Sequence, residues 1–324
     1  MKYRTRLLRD INLSILAGLC LLGVTCVTGC HRTPEATAAV KEDGSQLTFA
    51  NPEQAATALY TAARTQDDRA LERLLGAHSA ALLSSGDSQE DKAALASFVT
   101  KYDRMNRWAT LTDGRRILYI GADNYPYPIP LVQGASSRWY FDTAAGKDEI
   151  LARRIGKNEL LALDAVYAMG NAEELYFKNK QDGNSAHKYT QKILSSPGKQ
   201  DGLYWQVAKD QPTSPLGRLD DFAKDVVTST QPGVSPIFDG YSFRVLAGQG
   251  NHAKGNARSY VEGGEMIGGF AILATPVTYA DSGIMTFVMT KEGIVYQKDL
   301  GPKTTDTAAV INSYDPDDSW TPAE

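Results

Sequence analysis

Histidines are the first place to look for chemistry in this chain, because imidazole is the side chain best suited to moving protons near neutral pH. There are four: His31, His78, His187 and His252. His31 and His187 stand in polar stretches, and His78 follows a helix end. His252 lies in the glycine-rich run Gly248 to Gly255, between two strand-like segments, where a loop could carry a site. No His-Glu-x-x-His pair, Gly-x-Ser-x-Gly elbow or phosphate-binding glycine loop occurs. Gly248-Gln249-Gly250 lacks the strand-to-helix context of a dinucleotide fingerprint. Asp182-Gly183-Asn184 offers too few acids for calcium, so no metal is expected, and no cofactor. A Ser–Lys or paired-carboxylate arrangement stays open, since such partners meet only in the fold. No catalytic residue is assigned. The candidate binding surface is Trp205, Tyr241, Arg244 and His252, around the entry to a C-terminal sheet. Strand alternation puts Tyr241 and Phe243 in the core and turns Arg244 toward water beside Ser242. The alternative is a buried aromatic cluster with one snorkelling arginine.

Thiol chemistry is restricted by the N-terminus. Lys2, Arg4, Arg6 and Arg9 precede an apolar run from Ile11 to Val27, as in an export signal over residues 1–29. The run ends in Val27-Thr28-Gly29-Cys30, which resembles the bacterial lipobox and implies cleavage before Cys30 and its acylation, as with palmitate. The other readings are an uncleaved anchor, for which Ile11 to Gly29 is barely long enough, and an ordinary thiol. Cys20 and Cys26 lie inside the signal. A mature chain would therefore keep Cys30 alone, without a disulfide framework or a multi-thiolate zinc site. His31 stands where an aspartate would favour inner-membrane retention, which points to the outer membrane and the periplasm.

Charge narrows the partners. Without residues 1–29 the chain has 30 Lys and Arg against 37 Asp and Glu, a net of −7. No broad basic face can form, so nucleic acid is not expected. Anionic headgroups would not attract such a chain, and membrane attachment rests on the lipid.

The elements around these residues predict an α+β fold in two modules. Residues 30–47 read as the lipidated cysteine and a polar tether. Residues 48–146 read as helices plus a small sheet. Asn51-Pro52 with Gln54 begins a helix, Asp67 or Asp68 a second ended by Gly76, and Asp87-Ser88 a third through Tyr102. Strands follow at Arg116 to Gly121, Pro128 to Val132 and Arg138 to Asp142. That order resembles cystatin-like and nuclear-transport-factor-like modules, in which Tyr102, Trp108, Tyr125, Tyr127 and Trp139 would line a pocket or fill the core. Residues 147–324 read as a long helix from Lys147 to Lys178, then an antiparallel meander. Its strands are Tyr241 to Leu246, Arg258 to Glu262, Gly269 to Thr275, Ile284 to Thr290 and Gly293 to Lys298. A short helix is expected from Leu219 to Val226, and Trp320 should dock while the tail acids are solvated.

Several short motifs form a set along the chain. They are Arg153-Arg154-Ile155-Gly156 with Asn158-Glu159-Leu160, Ser195-Ser196-Pro197-Gly198, Asp201-Gly202-Leu203-Tyr204-Trp205 and Ser214-Pro215-Leu216-Gly217. To these add Gly240-Tyr241 with Phe243-Arg244, Met266-Ile267-Gly268-Gly269-Phe270, Gly283-Ile284-Met285-Thr286-Phe287 and Lys298-Asp299-Leu300-Gly301-Pro302. Together they resemble the bacterial envelope proteins grouped as domain of unknown function 2950, and the resemblance carries no catalytic residues. The helix-then-meander order is also similar to the globular part of pilins and pseudopilins. It departs from them in placing the helix internally. The function expected is that of a non-catalytic envelope lipoprotein, a binding or assembly module with an envelope protein partner. The alternative is a periplasmic hydrolase acting on an envelope polymer or peptide.

Overall fold

A computed structural model describes residues 46–76, 79–83, 88–179, 187–207, 213–217, 226–227 and 235–323. The export signal, Cys30, His31, the tether up to residue 45, His78, the Asp182 turn and the helix expected from Leu219 lie outside the described residues; Val226 itself is in a strand. The fold is α+β. The chain divides into two compact units, one ending at Glu149 and one running from Ile150 to Glu324.

The first unit begins with α1 (Pro52–Thr65), α2 (Asp68–Leu75), α3 (Ala80–Leu83) and α4 (Ser88–Arg104). Local chemistry sets the helix ends. Asn51 Oδ1 accepts from Gln54 N at 2.9 Å, and Gln54 Oε1 reaches back to Ala50 N. Asp67 caps α2 through Ala70 N, and Gly76 ends it at φ +83°. Five strands follow: β1 (Asn106–Thr110), β2 (Arg116–Ile120), β3 (Tyr125–Pro126), β4 (Leu131–Gln133) and β5 (Trp139–Phe141). They pair antiparallel in the order β1-β2-β4-β5, with β3 also on β2. Leu131 and Phe141 are buried against Ala55, Leu59, Leu71 and Leu74 of the helices, and Leu118 and Ile120 against Ala56. Gln46 and Leu47, assigned above to the tether, are instead docked. Gln46 Nε2 donates to Leu74 O and Phe141 O, and Leu47 N to Arg73 O. A side-chain amide can close two orphan carbonyls at once, which polarity alone does not reveal.

α5 (Thr143–Asn179) runs for 37 residues. It starts earlier than expected because the Asp142 carboxylate caps it through Ala145 N. The second unit adds β6 (Val226–Val227), β7 (Ile237–Phe238), β8 (Tyr241–Leu246), β9 (Gly248–Gln249), β10 (Arg258–Ser259), β11 (Val261–Glu262), β12 (Glu265–Met266), β13 (Ala271–Pro276), β14 (Met285–Thr290), β15 (Val295–Asp299), α6 (Thr304–Ala309) and β16 (Thr321–Pro322). One antiparallel sheet takes seven of them in the order β16-β15-β14-β13-β8-β7-β6. Register places Tyr241, Phe243, Ile272, Ala274, Phe287 and Met289 on one face. That face receives α5: a Cβ on Gly170 would stand 2.4 Å from Met289 Cε. Gly170 thus marks close packing, and the helix is unbroken there. The other face is covered by the C-terminal segment. There Tyr314 meets Tyr296, α6 packs on β13, and Lys298 lies over the docked Trp320.

A clamp joins α5 to the β13–β14 hairpin. Glu159 Oε1 accepts from Ile284 N and Met285 N at 2.9 and 3.0 Å, Asn158 Nδ2 donates to Ser282 O, and Arg154 pairs with Asp281. Tyr241 passes beneath the turn and donates to Met285 O at 2.9 Å. It fits only because residue 283 is glycine, where a Cβ would fall 2.2 Å from the Tyr241 hydroxyl. Gly283→Ala should therefore destabilise by about 1–3 kcal/mol, the usual cost of overpacking. Gly156→Ala on α5, where a Cβ meets nothing within 4 Å, should be neutral or stabilising. Thermal melts of the two variants beside the parent check this, and equal melts would reject the clamp.

Candidate functional site

The loop from Gly248 to Gly255 is built around one amide. Gln249 is 7% exposed. Its Nε2 donates to Lys254 O and Asn256 O, and its Oε1 accepts from Arg258 Nε and Tyr260 OH. Every hydrogen-bonding position of that side chain is used in a sense only an amide can supply. The C-terminal segment closes the loop from the other side. Tyr314 N donates to Gly248 O, Gly250 N to Tyr314 O, and Asp315 Oδ1 accepts from both His252 N and His252 Nδ1. Gly250 must be glycine, because a Cβ would lie 2.2 Å from the Asp315 carboxyl carbon. Asp315, expected to be solvated, is thus the acceptor that holds His252. The signal missed was long-range pairing of a tail acid with a loop 63 residues away.

The four candidate residues do not form one surface. Tyr241 is fully buried on the α5 face, and its hydroxyl is raised by burial and by the Glu159 charge. Arg244 leaves the same strand on the opposite face. It does not face water as expected: its Nη2 donates to Ala308 O and Ile311 O, both at 2.7 Å. These carbonyls lie at and just beyond the C-terminal end of α6, where cations are favoured, and Ala308 O also accepts from Ile311 N. Trp205 is half-buried and its indole Nε1 is sealed from water without a partner. His252 is exposed and bonded to Asp315.

Other groups with chemical potential are similarly engaged. Lys192 Nζ donates to Ser196 Oγ at 2.8 Å and to Asp201 Oδ2 at 2.6 Å. A Ser–Lys dyad needs a free amine as base, and here the ammonium is paired with a carboxylate. Burial works against the Asp201 charge, but bonds from Lys192 and Ser196 outweigh it and bring the carboxyl to about 2. The trio closes a turn in which Gly202 N also bonds Ser195 Oγ. Glu173 is fully buried; its Oε2 accepts from Thr190 N, while Oε1 has no partner. Loss of solvation raises its carboxyl well above the usual range, and the neighbouring Glu174 adds to this. A proton held there has no solvent-facing atom to exchange with a substrate, so the group acts on stability. Among the described residues no cluster of three or more His, Cys, Asp or Glu could hold a metal ion. None of their helices is long and apolar enough to cross a membrane.

In the first unit an open groove of about 700 Å³ follows α1, lined by Leu47, Phe49, Thr57, Ala58, Thr61 and Leu74 among others. The Thr57 and Thr61 hydroxyls donate to carbonyls one turn earlier, while Glu53 and Asp67 also line the groove and give it an acidic rim. Of the five expected aromatics, Tyr127 and Trp108 pack on the core, Trp139 joins them partly exposed, Tyr102 stacks on Tyr60, and Tyr125 is exposed under Lys101. Arg116 on β2 was overlooked. It alternates with Leu118 and Ile120, and a charged residue in the apolar register of a strand is the signal that marks it.

The profile of the protein family of unknown function DUF2950 matches residues 46–323. The chain belongs to that family. No curated protein and no solved structure matches it. The motifs that carry the DUF2950 resemblance can now be placed. Arg154, Asn158 and Glu159 form the clamp, Ser195, Ser196, Asp201 and Gly202 the closed turn, and Gly283 the seat of Tyr241.

Glu173 allows a test by pH. Its folded pKa lies above the unfolded value, so its contribution to stability is complete below about pH 4 and is lost as pH rises. Glu173→Gln, which mimics the protonated acid, should match the parent near pH 4 and exceed it by about 1–3 kcal/mol near pH 7. Urea titrations at the two pH values check this. A parent more stable than the variant at neutral pH would show that the carboxylate is satisfied.

Proposed function

We propose that this DUF2950 protein is a lipid-anchored envelope protein acting as a non-catalytic binding or assembly module. The observation that supports this most is the employment of its distinctive residues. Residues of the short motifs named above hold backbone turns, clamp a helix to a hairpin or occupy the core. A hydrolase would need a base with a nucleophile in reach. His252 is bonded to Asp315, and no described hydroxyl or thiol bonds to its ring. Anchoring is read from Val27-Thr28-Gly29-Cys30 and the polar stretch after it. His31 next to the cysteine favours the outer membrane, with both units in the periplasm. A single acyl chain anchors only marginally, so more than one chain on Cys30 is expected.

Labelled palmitate should be incorporated by the wild-type chain, which should sediment with membranes. Cys30→Ser should abolish labelling and move the protein to the soluble exported fraction. A mature N-terminal peptide that is unmodified and begins before residue 30 would overturn the anchoring. Crosslinking in cells should recover a consistent protein partner. Envelope glycan or peptide fragments that the purified protein turns over would support the hydrolase instead.

A further inference from the structure

Among the described residues Arg116 is the one arginine with a buried side-chain nitrogen that has no hydrogen-bond partner. It opens β2 in the same register as Leu118 and Ile120, which are 0% and 2% exposed, so its side chain leaves the sheet on the helix-covered side. Across the ladder it meets Leu131 of β4, itself 0% exposed, and Thr110 of β1. Trp108 pairs with Leu118 and is therefore a diagonal neighbour within side-chain reach. The guanidinium carbon lies 5.6 Å from the centroid of the Trp139 ring. Its Nε is sealed from water with no acceptor, and no described residue accepts a hydrogen bond from any nitrogen of the group. Arg107, Arg115, Arg138, Arg154, Arg244 and Arg258 all have side-chain acceptors or backbone ones. Arg116, Trp108 and Trp139 are only half-buried, and Nη1 and Nη2, unlike Nε, are not sealed, so a ligand can reach the end of the guanidinium and the indoles beside it.

We propose that Arg116 is the anchor of a ligand site in the first unit, and that its ligand is a small molecule carrying a carboxylate on a flat or apolar body. A planar guanidinium matches a carboxylate with two parallel bonds. The flanking indoles offer apolar faces to the rest of the ligand. A phosphate dianion fits less well, because the nearby cations are already paired or turned away. Arg107 lies over Tyr119 on the other face, Arg115 is bonded to Asp113, and Arg138 to Thr48. One half-buried positive charge balances one negative charge, and a second would be left unpaired. The site needs neither the lipid nor an envelope partner.

The test uses the full chain purified in detergent, with benzoate, benzamide and inorganic phosphate as probes, read by tryptophan fluorescence and thermal shift. Benzoate should give a saturable fluorescence change and raise the melting temperature. Benzamide and phosphate should bind at least tenfold more weakly. Arg116→Lys keeps the charge but loses the fork, and should fold normally with at least tenfold weaker benzoate binding. Arg138→Lys, whose parent side chain holds Thr48, should bind like wild type. Equal binding of benzoate and benzamide, a preference for phosphate, unchanged binding by Arg116→Lys, or no saturable response to benzoate would each overturn the proposal. Cys30→Ser protein should bind benzoate unchanged, so this site and the anchoring fail separately.

Discussion

The second unit depends on a carboxylate that holds two consecutive backbone amides. Glu159 takes Ile284 N and Met285 N at the start of β14, and so fixes where the hairpin leaves its turn. Everything below inherits that position. Tyr241 can reach Met285 O only while the turn stays over it, and Gly283 leaves the space for the ring. The register of β14 against β13 then sets Phe287 and Met289 beneath α5, where Gly170 lets the helix come close. A charged acceptor is well suited here, because bonds from neutral donors to a carboxylate are stronger than those between neutral groups. The neighbouring Asn158 and Arg154 extend the grip to Ser282 and Asp281. The clamp is electrostatic at its rim and apolar beneath, so the buried rings supply most of the stability and the polar contacts select one docking of helix on sheet.

Elements driven by local rules were legible in the sequence. The N-caps at Asn51 and Asp67 and the alternation of β8 follow from side chains acting on their own neighbourhood. The α+β class followed from those elements. What escaped were features made by distant partners. β1 and β9 carry little β-branched character and become strands through the strands they pair with. Asp142 belongs to a strand-like run by composition, yet its carboxylate begins α5. The docking of Gln46 rests on carbonyls 28 and 95 residues away, which no local pattern announces.

The candidate site shows the same division. Alternation placed Tyr241 in the core and turned Arg244 away from it, and both follow from period two. The surroundings of Arg244 were not legible, because α6 approaches from 64 residues further along the chain. His252 was singled out for the chemistry of its type. Its setting gives it a different role, since with Gln249 and Asp315 it ties a glycine-rich loop to the C-terminal segment. A residue type announces what it can do, and its partners decide which of those things it does.

Two arginines make the point in energetic terms. Arg244 and Arg116 both sit on central strands, both are half-buried, and both direct a guanidinium at a covered sheet face. Arg244 finds two carbonyls at the end of a helix, so its desolvation is offset within the fold. Arg116 finds a tryptophan ring and no acceptor. A ring face attracts the cation but leaves its N–H groups unpaired, so the first unit retains a desolvation cost that folding does not offset. An apolar residue at position 116 would continue the Leu118 and Ile120 register without that cost. Its terminal nitrogens stay open at the surface, and an acceptor for them can come from outside the chain. Glu173 Oε1 and Trp205 Nε1 are also buried without partners, but Arg116 is the cation among these groups and the one set beside an indole face.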